Sequence, residues 1–456
     1  MSMNILELPK ILARRFSIAG LDAVVFATIF LPFGGALPLV AAELIRIAPG
    51  RNAVTATAVS ADGSTVVGYA TSIDGVVPFR WTNTEGLIEL PILPGRPDTR
   101  ALGVSEDGTV VVGYGSGFGI ESLQREAFYW TAAEGIVGIG DIPGGQDFSE
   151  AQGVSKDGSV IVGYGTGTGG REAFRWRRGV GIQGLGSLYT YPPNVSGLTL
   201  DSEAVAVSSS GFRVAGNFKF GFPSSDPNGF LWQEATGMIP LAGEVPDPVP
   251  FAGNEVHSMS PGGFWTTGIR GFEVVRWNEV TGFESILGMD QNNSSAGISD
   301  DGNVIVGNTT LIDNEEVFVW QNNHGVIGLR GMLSAAGVDM SQWEFLQVTG
   351  LSGDGYTLCG NGVYSGVSEA FIVKIDRLSP PLVVPFGLKD TSTPVAISFV
   401  GQAGVIHQLQ ISTDLGYWSN HGSPVVGNGS TQSVVLPVGF PRLFGKIVTI
   451  QPVAIP

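Results

Sequence analysis

Along most of the chain a short apolar stretch, a four-residue polar turn and a β-branched stretch follow one another and then recur. ALGVSEDGTVVVGYGSG at 101–117 returns with edits as AQGVSKDGSVIVGYGTG at 151–167. Aligned along the chain, the turns read SADG, SEDG, SKDG, SSSG, SPGG, SDDG and SGDG, and the glycines matched across them are Gly63, Gly108, Gly158, Gly211, Gly262, Gly302 and Gly355. The pattern predicts strand, tight hairpin and strand, with the DG pair supplying the positive φ angle. A third strand then ends in tryptophan, as in PFRW, EAFYW and EAFRW, at Trp81, Trp130, Trp176, Trp232, Trp277 and Trp320. After a few polar residues and a glycine comes a fourth, such as GLIEL or GIVGI.

The seventh unit breaks the pattern. It reads EAFIV without tryptophan, and no fourth strand follows. The segment ELIRIAPGRN at 43–52 supplies what is missing, because it matches LIELPILPGRPD after the first unit. If residues 44–47 complete the seventh sheet, the array closes on itself, and the predicted fold is an all-β, seven-bladed β-propeller. An open solenoid would need capping units instead. Small residues on the first strands (Ala101 and Gly103, Ala151 and Gly153, Ala204 and Ala206) suit a crowded axis, and the tryptophans are read as filling between blades. One short helix is expected in RGMLSAAGVDMSQW, capped by Gly337.

Repeats of the form AxGVSxDGxxVVGY, followed by EAFxW and closed by RGMLSAAGVDMSQW and EAFIVKID, resemble the HAF family of bacterial extracellular repeats over nearly all of 43–376. The fourth and fifth units depart from the pattern, since SSSG and SPGG lack the aspartate. The resemblance implies an exported protein with propeller-like repeats; it assigns no activity and carries no catalytic residue across. Residues 377–386 read as a proline-rich linker. The segment 387–456 resembles the small β-sandwich module that ends many exported bacterial proteins, on Leu409, Ser412, Asp414, Leu415 and Trp418; it departs at Gly445 and Lys446, where that module has an aromatic and an arginine.

Export is also written at the other end. Lys10, Arg14 and Arg15 precede an apolar run to Val40 and Ala42, which suits signal-peptidase cleavage before Glu43, so residues 1–42 are read as a signal peptide. An uncleaved membrane anchor is the alternative, but Asp22, Pro32 and Pro38 interrupt the run. The net charge of -17 disfavours nucleic acid and anionic membrane surfaces as partners. A monomer that is secreted or held at the cell surface, binding a polysaccharide or a surface protein, is the expected state. Cys359 is the single cysteine, so internal disulfides are excluded and the thiol is read as a small buried hydrophobe.

Motifs for chemistry are sparse. Gly165, Gly167 and Gly170 have dinucleotide-fingerprint spacing, but REAFRW after them is a strand, and the phosphate site needs a helix. His257, His324, His407 and His421 lie at no zinc-site spacing from one another, and no GxSxG elbow occurs. The DG turns lack the oxygens of a calcium loop. No catalytic residue, cofactor or metal ligand set is therefore assigned. One column does vary in a suggestive way. Immediately before each inner strand stand Thr55, Arg100, Glu150, Glu203, Glu255, Ser294 and Gln347, so three successive units present glutamate to one sector of the mouth. With Asp201 nearby, this predicts a weak site for a cationic ligand or a divalent cation such as calcium; solvated rim carboxylates are the alternative. For function, a non-catalytic binding or scaffold module is set against a carbohydrate-active lyase or hydrolase drawing on Glu150, Glu203, Glu255, Tyr189 and Tyr191.

Overall fold

In the computed structural model the described residues are 42–375, apart from 52, 73–74, 118–123, 189–199, 221–226, 242–252, 289–291, 313–314 and 323–324, together with the strands of 386–452. The expected leader, most of the linker, and Asp414, Leu415 and Trp418 lie outside them, as do Tyr189, Tyr191 and His324.

The described chain is all-β with one helix. Four-stranded antiparallel meanders follow one another over residues 54–89, 98–140, 149–184, 200–240, 254–287 and 294–328. A last one, over 343–375, has three strands in sequence and takes its fourth from the other end of the chain: Ala42–Arg46 pairs with Val367–Ile375, with Leu44 opposite Val373. Neighbouring meanders are bridged by single parallel pairs at three places, Val76 with Asp98, Arg125 with Phe148 and Asn228 with Asn254, and also meet through side chains and turn backbones. Beyond them, two further sheets form from Phe386–Lys389, Val405–Ser412, Ser419–Val426 and Arg442–Pro452, and from Ala396–Val400 with Thr431–Val435. No helix among the described residues is long and apolar enough to cross a membrane.

The recurring turn is larger than a two-residue hairpin. Ser105 N–H bonds the Val110 carbonyl at 2.8 Å, with Glu106 to Thr109 between them, and Gly108 alone takes the left-handed conformation, at φ 72°. Asp107 acts through its side chain, accepting Ser105 Oγ at 2.8 Å and Thr109 N–H at 3.0 Å, while Ser105 Oγ accepts Val110 N–H at 2.9 Å. Ser and Asp thus satisfy the turn's own backbone, which is why the pair recurs. In SPGG the left-handed residue is Gly263, at φ 77°, rather than Gly262.

Burial follows the third strands. Phe79, Phe128, Phe174, Phe230, Phe318 and Phe371 are fully buried, and all the strand tryptophans but half-buried Trp130 are buried with them. Each cluster joins two meanders; Val112 and Tyr129, for example, pack on Ile161, Phe174 and Trp176 of the next. The same holds between last and first, where Cys359, Ala370 and Ile372 pack on Val66, Phe79 and Trp81. Cys359 is fully buried, and burial pushes its thiol up to about 12, in keeping with a packing role. The helix, Leu329–Ala335, ends as its sequence predicts: Gly337 is left-handed at φ 84°, its N–H bonds Ser334 O, and Val338 N–H bonds Leu333 O at 2.9 Å.

Candidate functional site

Every first strand carries a β-bulge at one equivalent place. The ladder skips Thr57, Leu102, Gln152, Val205, His257, Ala296 and Thr349, and all seven are half-buried. The column predicted as the rim lies two residues earlier, inside the strand rather than before it. Thr55, Arg100, Glu150, Glu203, Glu255, Ser294 and Gln347 face Tyr69, Tyr114, Tyr164, Asn217, Ile269, Asn308 and Asn361 on the second strands.

Those second-strand residues decide how one meander meets the next. Asn217 clamps Val256 of the following first strand, donating to its carbonyl at 2.9 Å and accepting its N–H at 2.7 Å. Asn308 does the same to Val348 at 3.1 and 2.9 Å. Asn361 clamps Ala56 at 2.9 and 2.7 Å, which joins the last meander to the first by the same geometry.

Where tyrosine replaces asparagine, arginine takes over. The Arg100 guanidinium lies 4.9 Å from the centre of the Tyr69 ring and is held by Asp98 at 2.7 and 2.9 Å. Arg125 stacks on Tyr114 at 4.7 Å and forms an ion pair with Glu150. Arg171 stacks on Tyr164 at 3.8 Å and pairs with Glu203 at 2.7 Å. The Tyr164 hydroxyl donates to Glu150 at 2.6 Å, so the two arginine units connect. Burial first, and the Glu150 charge second, raise the Tyr164 hydroxyl above its ordinary range, which keeps it a neutral donor. Burial works against the Arg125 charge, but Glu150 more than offsets it, and its pKa is raised.

The predicted site residues are therefore neighbours on one rim without forming a common site. Glu150 is 3% exposed and already bound to Arg125 and Tyr164. Glu203 is taken by Arg171. Glu255 is more open and lies 3.8 Å from His257 Nε2; that bond, against the opposing effect of burial, keeps its carboxyl below the usual range. Asp201 sits across the ladder from Lys219, and Arg100 is committed to Asp98. Among the described residues no three of His, Cys, Asp and Glu come together as a metal would require. Of the three glutamates expected to share a divalent cation, Glu150 pairs with Arg125, Glu203 pairs with Arg171 and Glu255 lies against His257. Ser295, His257 and Glu255 form a line, with Ser295 Oγ 3.3 Å from Nδ1, but Ser295 is buried and that nitrogen also faces its backbone. The arrangement is a contact between meanders rather than a nucleophile with its base.

The opposite face is closed by the turns themselves. The second residue of each turn bonds a neighbouring turn: Asp62 N–H to Glu106 O, Lys156 Nζ to Glu106 Oε1, Lys156 N–H to Ser209 O and Ser209 N–H to Pro261 O. Gly262 N–H to Asp300 Oδ1, Asp300 N–H to Gly353 O and Gly353 N–H to Ala61 O complete the circuit. Ser209 Oγ even reaches Glu106 Oε2, at 2.7 Å, across an intervening turn.

Two features of the site escaped the sequence reading. The bulge residues share no chemistry and carry no mark. The arginines did leave a signal, since Arg125 and Arg171 both open REAF and the glutamate each holds stands at the rim position of the next unit.

No family model matches the chain, and no curated protein matches it. Solved structures do. TolB from Acinetobacter baumannii is 10% identical, over 70% of this chain and 65% of its own length, at a TM-score of 0.37. Oligogalacturonate lyase from Vibrio parahaemolyticus is 9% identical over 74% of this chain and 97% of its own, at 0.45. A prolyl endopeptidase is 13% identical over 75% and 53%, at 0.46. The chain thus spans less than two thirds of the TolB and endopeptidase chains, and at these scores the likenesses assign neither a family nor an activity.

Proposed function

We propose that residues 43–376 form a seven-bladed β-propeller of the HAF repeat type, closed by the N-terminal strand and followed by a C-terminal β-sandwich, and that this exported protein is a non-catalytic binding or scaffold module. Its ligand is a polysaccharide or a surface protein, met outside the cytoplasm. The closing pairing of Leu44 with Val373 and the Asn361 clamp on Ala56 support the ring. One observation carries the functional reading: the rim glutamates Glu150 and Glu203 are each neutralised by a stacked arginine. A lyase or glycosidase needs an acid and a base held at different pKa values, whereas this rim is a fixed array of hydrogen-bonding groups suited to holding a ligand.

The test is to incubate the chain lacking residues 1–42 with a panel of acidic and neutral polysaccharides, scoring retention and products separately. Retention on a polysaccharide without new reducing or unsaturated ends is the expected result. Product formation that survives purification and is lost in Glu150→Gln would replace this reading with an enzyme. No retention on any polysaccharide would move the ligand to the surface protein.

A further inference from the structure

Round the ring of first strands, the contact between the fifth and sixth meanders is built differently from its counterparts. The residue matching Asn217, Asn308 and Asn361 is Ile269, which has nothing to offer the next strand's backbone. The backbone position that a clamp would hold is Ser295, the counterpart of Val256, Val348 and Ala56. His257, the bulge residue of the fifth meander, reaches it instead. Its Nδ1 lies 3.2 Å from Ser295 N, 3.1 Å from Ser295 O and 3.3 Å from Ser295 Oγ.

An asparagine side chain carries a donor and an acceptor and satisfies both backbone groups at once. A single ring nitrogen is one or the other. With Nδ1 unprotonated it accepts the Ser295 N–H and leaves the carbonyl unserved by the ring. With Nδ1 protonated it donates to the carbonyl and releases the N–H. We propose that this junction is a one-bond latch, made by His257 where the Asn217, Asn308 and Asn361 junctions have a two-bond clamp, and that it opens more readily than those three.

Amide hydrogen exchange on the folded chain, corrected for intrinsic rates, tests the latch. The Ser295 amide should be less protected than those of Val256, Val348 and Ala56. The difference should be about fivefold, the worth of one ordinary hydrogen bond. Ile269→Asn supplies the missing clamp and should raise Ser295 protection by a similar factor. Should that variant fail to fold, His257→Ala decides the matter, since removal of the latch should lower Ser295 protection while the amides of Val348 and Ala56 hold. Ser295 protection equal to that of the clamped amides, or unchanged in His257→Ala, overturns the proposal.

Discussion

Asn361 joins the two ends of the repeat array, and its removal is the sharpest probe of that closure. In Asn361→Ala the N–H of Ala56 loses its acceptor, 2.7 Å away, in a place where Ala56 has no exposure. A buried donor left unsatisfied costs about 1–3 kcal/mol. The Ala56 carbonyl loses the Nδ2 donor at 2.9 Å but keeps Thr349 Oγ1 at 3.1 Å, so this half costs less than the ~1 kcal/mol of an ordinary hydrogen bond. The expected loss is about 2–3 kcal/mol, read from the urea midpoint and slope. Thr349→Val added to it should cost more than the two single changes combined, because the carbonyl is then stripped of both side-chain donors. Asn361→Asp keeps the shape and is expected to do at least as much harm, since a carboxylate oxygen then faces the Ala56 carbonyl. A loss below about 0.5 kcal/mol in Asn361→Ala, or a native-like Asn361→Asp, would refute the clamp as a significant bond.

Two further outcomes follow from the same geometry. Gly86 and Gly108 have nearly the same left-handed backbone, φ 71° and 72°, but a Cβ on Gly86 meets nothing within 4 Å, whereas one on Gly108 falls 2.1 Å from Thr65 Oγ1 of the preceding meander. Gly86→Ala should therefore cost only the backbone strain of about 1–2 kcal/mol, and Gly108→Ala a further 1–3 kcal/mol, roughly, for the displaced threonine; equal losses in thermal unfolding would contradict the packing of turn on turn. At Glu369, burial pushes the carboxyl pKa up but Arg46 and the Gly50 N–H outweigh it, leaving the folded value below the ordinary one. The pair's stabilisation should thus be complete above the unfolded pKa of about 4.3 and be lost as pH falls through the lower folded value. An acid titration of stability in which Glu369→Gln leaves the slope below about pH 4.5 unchanged would dismiss the pair as a contributor.

The repeat was legible because a hairpin is a local object: in the five turns that carry aspartate, Ser, Asp and Gly act within six residues of one another, and the strands they join declare themselves as short apolar and β-branched runs. The displaced strand was legible for the same reason, since Leu44 and Ile45 copy the fourth-strand pattern of the first unit and do pair with Val373 and Ile372. The rim was read less well. Glu150, Glu203 and Glu255 form a column in an alignment, which suggests a shared purpose, but the cations that hold the first two come from another column and another meander. Such pairing is invisible until packing places the start of one meander's third strand beside the next meander's first. The bulges were hidden for a different reason: an extra residue in a ladder depends on register, and Thr, Leu, Gln, Val, His and Ala have nothing in common to announce it.

A residue outside the ladder is also released from the alternation that governs its neighbours. At the positions of Thr57, Leu102, Gln152, Val205, His257, Ala296 and Thr349 a side chain can change without shifting strand register or moving a core residue to the wrong face. The first strands therefore carry seven points released from the ladder, of which Thr57, His257 and Thr349 already reach the backbone of the next meander. Selection, or a designer, could retune the seams between meanders there one residue at a time, which a regular strand of the same length would not permit.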